Sequence, residues 1–254
     1  ILDHGGGVAE DVGWQPGNCV TVNTGGGSSV KAINMAAAAS GAGMAATFVV
    51  GMADRLRSFM TSDEAMVVQS SSGHPHYEQP DGPTVPAYYA LIARAHMDRF
   101  GTTEAQFAEA AVSCRAWANQ HPKAQKRELI TVDDVLQSRP IADPLKVLDC
   151  SLVSDGGAAV VITRRALAQE GPHKPIYILG YGEGHAYEHI SQAKDLTTSA
   201  AVLAGDAAYA AAGLTPEQID LMQLYDCFTP ALLIQLEDLG FCRKGEGGAF
   251  LANG

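Results

Sequence analysis

Two stretches of the chain place reactive side chains at the end of an apolar run. In the first, residues 20–22 lead into Thr24, the glycines Gly25, Gly26 and Gly27, and the pair Ser28 and Ser29; an Ala-rich segment and a second apolar run at 47–50 follow. Glycines let a turn approach a ligand closely, and Ser28 or Ser29 can cap the next helix, whose free N–H groups favour an anion or a developing oxyanion. A thin helix wedged between layers explains the same composition without chemistry. In the second stretch, residues 221–224 lead into Tyr225, Asp226 and Cys227, backed by the apolar FTPALLIQLEDLG. Tyr225 as plain aromatic packing and Asp226 as a cap of the following helix are the bland alternatives. Cys227 fits a core-facing position.

The elements that must position these residues follow from spacing. Strand, tight turn, small-residue helix and strand over residues 20–51 make one crossover unit. Residues 86–99 fit a helix closed by Gly101. Thr103 and Gln106 form a capping box for a second helix, with Phe107, Ala111, Cys114 and Ala118 along one stripe. A short helix is expected after Thr131, strands at 147–150 and 158–162 about the turn former Asp155-Gly156-Gly157, and an exposed helix after Thr163. The chain restarts with a strand at 176–181, then His185 and His189, four apart, where glycines make a shared helix face uncertain. A long Ala-rich helix over 195–212, a short one begun by Thr215, Pro216 and Gln218, a strand at 221–224 and a helix ending near Gly240 complete the pattern. Residues 171–175 are the best boundary, dividing the chain into halves 1–172 and 173–254 that repeat one arrangement. The expectation is a layered α/β protein with helices around mixed sheets and a cleft between its halves.

Composition narrows the function. At 254 residues and 46% hydrophobic, the chain can bury one large core or two smaller ones. A formal charge of -11 argues against general nucleic-acid binding. No apolar run is long and charge-free enough to read as a membrane span. Five cysteines, odd in number and without a CxxC pair, fit a reducing, cytoplasmic compartment better than a disulfide framework or a zinc site. His74 and His76, two apart, face opposite ways in a strand and make a poor metal pair. Beginning at Ile1 without an initiator Met or a signal pattern, the sequence reads as part of a longer chain.

The stretches VNTGGGSSVKAINMAAAASGAG, DCSLVSDGGAAVVIT and QLYDCFTPALLIQLEDLGFCRKGEGG, in this order, resemble the thiolase superfamily, and within it the lipid-transfer, sterol-carrier-protein-type branch. The resemblance covers most of residues 18–254. It implies a thiolase-type fold of two related halves and a coenzyme A thioester as substrate, without a further cofactor. In true thiolases the first turn holds a nucleophilic cysteine in a pattern like Cys-Ala-Thr-Gly-Ser-Ser; here Thr24 stands in its place, and Cys19 lies too early. A threonine hydroxyl is a poor nucleophile without an activated base, so Claisen chemistry through an acyl-cysteine is not expected. The second departure is Tyr225, where the lipid-transfer thiolases have a pattern like His-Asp-Cys-Phe.

Cysteine-free relatives with this tyrosine are similar to the thiolase-like aldolases of steroid side-chain degradation, which cleave a β-hydroxyacyl-CoA into a ketone and a shorter acyl-CoA. The resemblance implies a homodimer and an OB-fold partner that accompanies the preceding acyl-CoA hydratase. Retro-aldol cleavage needs a base for the β-hydroxyl proton and donors for the enolate, but no acyl-enzyme. Tyr225 is expected as that base, if its pKa is lowered, or as the acid that reprotonates the enolate. Asp226 is expected to orient or activate a neighbour. Thr24, Gly26, Gly27 and Ser28 form the oxyanion or substrate region, with His185 near the cleft by its place after a strand. An acyltransferase and a noncatalytic binding or assembly subunit are the competing readings. No residue pattern distinguishes a steroid from another bulky acyl group.

Overall fold

A computed structural model describes residues 4–253. In chain order its elements are α1 (His4–Asp11), α2 (Ser28–Gly41), β1 (Thr47–Arg55), α3 (Leu56–Phe59), α4 (Ser62–Ser70), α5 (Val85–Phe100), α6 (Glu104–Gln120) and α7 (Val132–Gln137). Then come β2 (Pro140–Ala142), β3 (Leu145–Lys146), β4 (Asp155–Thr163), α8 (Arg165–Gln169), α9 (Ala201–Ala212), α10 (Thr229–Asp238) and α11 (Gly247–Ala252). The fold is mixed α/β, with helices packed around small sheets: β1 pairs with β4, and β2 with β3. Two compact units emerge, one joining the chain up to Asp54 with Gly156–Ile178, the other joining Arg55–Asp155 with the chain from Leu179 onward.

In the first unit, the Thr47 and Thr163 hydroxyls lie 3.2 Å apart, and the Thr163 hydroxyl also donates to the Ala46 carbonyl at 2.9 Å. Further along, a Cβ on Gly157 would stand 3.2 Å from the Cβ of Ala53. Rising numbers on β1 therefore meet falling numbers on β4, and the pair is antiparallel. The Asp155-Gly156-Gly157 stretch, expected as a turn, is the start of β4, where Gly157 permits close approach of the neighbouring strand. Residues 20–22, expected as a strand, have no ladder partner among the described residues. The Ala-rich helix α2 buries Asn34, Ala36 and Ser40 while Val30 and Met35 stay exposed.

The second unit holds the larger core. Ala90 and Ala93 of α5, Phe107 of α6, Leu145 of β3, and Phe228, Leu233 and Ile234 at α10 form one buried cluster. Each fully buried side chain of the size of Leu or Phe contributes about 1.5–3 kcal/mol. The helix ends follow the sequence signals. Gly101 takes φ +73° after α5. Thr103 Oγ1 accepts the Gln106 N–H at 3.3 Å while Gln106 Oε1 accepts the Thr103 N–H at 3.0 Å, so the capping box forms in full.

Beneath the core lies a buried polar network. Nδ1 of His96 is 2.9 Å from Thr102 Oγ1, and its Nε2 is 3.0 Å from Glu237 Oε2. Lys244 pairs with Glu237 at 3.2 Å and with Asp238, and donates to the Thr197 carbonyl at 2.8 Å. Asp238 Oδ2 accepts the N–H and the hydroxyl of Ser199 at 2.7 and 2.8 Å. These bonds fasten the loop before α9 to the end of α10, and removing one partner would strand a buried charge.

Several segments expected as strands are built otherwise. Residues 176–181 have no ladder partner among the described residues. The chain beyond is laid on α9 through alternate glycines: a Cβ on Gly180, Gly182 or Gly184 would come within 2.5, 2.0 or 2.5 Å of the carbonyl oxygens of Ala208, Ala204 and Ala200 respectively. Two extended residues advance about 6.6 Å and four helical residues about 6 Å. The segment therefore runs antiparallel to α9 at backbone-contact distance, one glycine for each helical turn. Residues 147–149 form a 3-10 turn instead of a strand, because Asp149 turns back to accept the Lys146 N–H at 2.9 Å. The helix expected from 195 begins at Ala201, since Asp195 is engaged with Thr197 and Arg99.

Candidate active site

The glycine turn belongs to the first unit and is tied by short-range bonds. Gly25 takes φ +67°, a conformation that favours glycine. Ser28 Oγ accepts the Thr24 N–H at 2.8 Å and donates to the Gly25 carbonyl at 2.6 Å. This corrects the expected role of the serines: Gly27 occupies the cap position of α2 with no side-chain bond, because the Ser28 hydroxyl is spent on the turn behind it. Thr24 faces Gly26 across an isolated parallel bridge, and Thr24, Gly26 and Gly27 are exposed. The structure thus brings Thr24, Gly26, Gly27 and Ser28 into one turn, with the N–H groups that open α2 beside it.

Tyr225, Asp226 and His185 belong to the second unit. Residues 219–226 have no ladder partner among the described residues, yet the segment entering α10 is held at successive points. The amide of Gln235 brackets the backbone of Tyr225, accepting its N–H at 3.2 Å and donating to its carbonyl at 2.6 Å. The Cys227 carbonyl accepts the Ser151 N–H at 2.9 Å, and the Thr229 hydroxyl donates to Asp149 Oδ1 at 2.8 Å. The two side chains have separate surroundings. Tyr225 stands near Tyr89, whose ring stacks on Phe228 at 4.4 Å. Asp226 instead lines a cavity of about 300 Å³ with Cys114, Arg115, Lys126, Asp149 and Ser154.

The electrostatics separate phenol from thiol. Tyr225 is 56% exposed, and its phenol is pushed above its ordinary range by partial burial and by the nearby Cys227 and Asp226. It therefore holds its proton and is suited to donate it, not to act as the low-pKa base that sequence considerations also allowed. Burial pushes the thiols of Cys114, Cys150, Cys227 and Cys242 up to about 11, so none of these four is a ready thiolate. Asp149 is raised above the usual carboxylate range by desolvation, in spite of the bonds from Lys146 and Thr229.

His185 is exposed, and among the described residues no hydrogen bond or ring contact joins it to Tyr225 or Asp226. His189 does not share a helix face with it: its ring meets that of His74 edge-on at 5.0 Å, in a segment irregular as far as the 3-10 turn at Ile190–Gln192. Among the described residues no group of three or more His, Cys, Asp or Glu side chains is arranged to hold a metal ion. No described helix is long and apolar enough to cross a membrane. Sequence reasoning missed Gln235, Tyr89 and Asp149. A signal existed for Gln235, a lone amide in the apolar run ALLIQL, whereas the partners of Tyr89 and Asp149 lie far away in the chain.

Residues 182–254 match a family model described as thiolase C-terminal domain-like. An acetyl-CoA acetyltransferase of Methanothermobacter thermautotrophicus is 38% identical, over 70% of this chain and 47% of its own length. A steroid side-chain-cleaving aldolase of Thermomonospora curvata is 35% identical, over 92% of this chain and 63% of its own length. Among solved structures, the Ltp2-ChsH2(DUF35) aldolase superposes with a TM-score of 0.85 at 35% identity, over 97% of this chain and 65% of that one. The chain belongs to the thiolase superfamily, in the branch that holds the sterol-carrier-protein-type thiolases and the steroid side-chain-cleaving aldolases. It spans less than two thirds of the length of each of these three proteins.

Proposed function

We propose that the full-length protein is a carbon–carbon lyase that cleaves a bulky β-hydroxyacyl-CoA, of the steroid side-chain type, into a ketone and a shorter acyl-CoA. The observation that carries this reading is the contrast at the Tyr225 segment: an exposed phenol that keeps its proton, beside thiols held protonated by burial. Such a site offers proton transfer and not a thiolate nucleophile. In the cleavage, a general base takes the β-hydroxyl proton, which returns to the Tyr225 phenolate at the end of the cycle, while the Cα–Cβ bond breaks and the β-carbon becomes the ketone carbonyl. The bonding electron pair enters the thioester enolate, which takes a proton at Cα, so no oxidant, water or acyl-enzyme is required. Tyr225 supplies that proton.

Asp226 orients the polar end of the substrate at the cavity it lines, where Arg115 and Lys126 offer positive charge to an anionic handle. Thr24, Gly26, Gly27 and Ser28 keep the thioester-holding role that family resemblance gives them, and His185 a peripheral substrate contact. The reading extends to a cytoplasmic homodimer, two related halves over 1–172 and 173–254, and an OB-fold partner, as the family resemblance implies.

The test is to express the full-length protein, supply a branched β-hydroxyacyl-CoA and follow products by mass spectrometry for wild type and Tyr225→Phe. Ketone plus shortened acyl-CoA is expected, with turnover reduced by about 10²–10⁴ in the folded Phe variant. A folded wild-type protein that cleaves nothing would sink the lyase reading, and acyl exchange abolished by thiol alkylation would turn it into an acyltransferase.

A further inference from the structure

Tyr225 lies in a segment that has no ladder partner among the described residues, so no sheet hydrogen bonds from them fix it. Its backbone is nevertheless bonded on both sides, and by one side chain. Gln235 Oε1 accepts the Tyr225 N–H at 3.2 Å, and Gln235 Nε2 donates to the Tyr225 carbonyl at 2.6 Å. A second bond from Nε2 to the Ala231 carbonyl, at 2.9 Å within α10, fixes which end of the amide is the donor. A carboxamide carries one acceptor and one donor group at this separation, which a carboxylate, an amine or a thioether does not. Gln235 also interrupts the face of a helix that otherwise buries Leu233, Ile234 and Leu236.

We propose that Gln235 is the positioning residue for Tyr225: it takes the place of a ladder at this one residue and sets the point from which the phenol projects. The inference rests on the reading of Tyr225 as the proton donor. Ser151 and Asp149 secure Cys227 and Thr229, further toward α10, and neither contacts Tyr225 in the bonds described above. Because the Tyr225 backbone is exposed, water can satisfy its N–H and carbonyl when Gln235 is lost. The fold then suffers little, while the phenol loses its fixed origin. Misplacement of a reacting group by about 1 Å costs on the order of 10²-fold in rate. The loss falls on kcat, not on KM.

Two substitutions test this in the full-length protein with a branched β-hydroxyacyl-CoA. Gln235→Met keeps the length and removes both bonds; kcat is expected to fall by about 10–100-fold with KM little changed and the melting temperature close to wild type. In a Tyr225→Phe background the same change should cost nothing further, since the two residues act as a unit. Gln235→Glu guards against a folding defect. When ionised it repels the Tyr225 carbonyl, and when protonated it offers an acceptor and an O–H donor as glutamine does. Its turnover relative to wild type should therefore recover as pH falls through the titration of that carboxyl. An unchanged kcat in Gln235→Met, a full additional loss in the Phe background, or a flat Glu-to-wild-type ratio across pH would each overturn the inference. If Tyr225→Phe is disabled while the Gln235 variants behave as wild type, only the positioning role fails. Full activity in Tyr225→Phe brings down the reading of Tyr225 and the positioning role with it.

Discussion

The turn at Thr24–Ser28 and the segment at Tyr225–Thr229 both end an apolar run with reactive residues, but they are held in opposite ways. Every bond described in the turn links residues at most four apart. In the second segment the clamps reach ten residues to Gln235 and eighty to Asp149. A local turn carries its geometry with it wherever the chain goes. A segment clamped from afar inherits its geometry from the packing of a whole unit, so changes well away from Tyr225 should reach it and leave the turn untouched.

The strongest way to break this contrast is to compare two glycine-to-alanine changes. Gly182→Ala would push a methyl group to 2.0 Å from the Ala204 carbonyl oxygen, a backbone atom that cannot swing aside. Helix α9 must then shift, and it is bonded to the end of α10 through the Tyr209 hydroxyl and the Leu239 carbonyl at 3.1 Å. Overpacking of this kind costs about 1–3 kcal/mol, and more where backbone must move. We expect a clear drop in melting temperature and a loss of turnover beyond that of stability alone, because α10 carries Gln235. Gly27→Ala is the control in the turn. Gly27 has φ -78° and open space around an added Cβ, so the change should be neutral or slightly stabilising. Equal melting curves for the two variants would remove the distinction.

This pair also shows what could be read from the sequence. Glycine in the first turn is legible as a conformational signal, and it holds at Gly25, the member of the triplet recorded with positive φ. The alternation of Gly180, Gly182 and Gly184 reads just as well as a weak strand or loop, since its cause is the backbone of α9 about twenty residues on. Local signals with local causes came through: the box at Thr103 and Gln106, the stop at Gly101 and the end of α10 near Gly240. Residues 176–181 and 221–224 have the composition of strands, but a strand is defined by a partner's hydrogen bonds, and neither segment has a ladder among the described residues: Gly180 lies on α9, and Tyr225, just beyond the second, is held by the Gln235 side chain. The site was half legible for the same reason. Tyr225 and Asp226 stand out by position, whereas their different surroundings depend on Tyr89, Cys114 and Arg115, which only folding brings near.

A smaller effect should follow from Ser28→Ala. The hydroxyl makes both the bond from the Thr24 N–H and the bond to the Gly25 carbonyl, so its loss opens the turn while leaving Gly27 as the cap of α2. Neutral hydrogen bonds contribute about 0.5–1.5 kcal/mol each when buried, and less in an exposed turn where water replaces them. We expect at most about 1 kcal/mol of destabilisation, read from denaturant midpoints, with the amide protection of Tyr225 unchanged. Loss of hydrogen-exchange protection at the Tyr225 amide in this variant would show that the two regions are not independent.

The mildest effect concerns acid. Asp195 has its carboxyl held down to about 2, first by the Thr197 hydroxyl and N–H and then by Arg99. In the unfolded chain an aspartate titrates at about 3.9. A depressed folded pKa means that the ionised carboxylate is favoured in the fold, so its contribution is complete above about pH 4 and is lost as pH falls toward 2. The side chain is 35% exposed, which keeps the effect small by solvent screening. Its direction is still informative. Asp195 orders Thr197, whose carbonyl accepts from Lys244, and Lys244 pairs with Glu237 and Asp238 on the helix that carries Gln235. The turn at Thr24–Ser28, by contrast, uses only neutral groups in the bonds that close it. Asp195→Asn should therefore flatten part of the fall in melting temperature between about pH 4 and 2. Hydrogen exchange over the same range should show the amide of Tyr225 losing protection in wild type earlier than the amide of Thr24. Parallel melting curves for wild type and Asp195→Asn, or simultaneous loss of protection at both amides, would mean that the long-range clamps do not set the acid sensitivity of the second region.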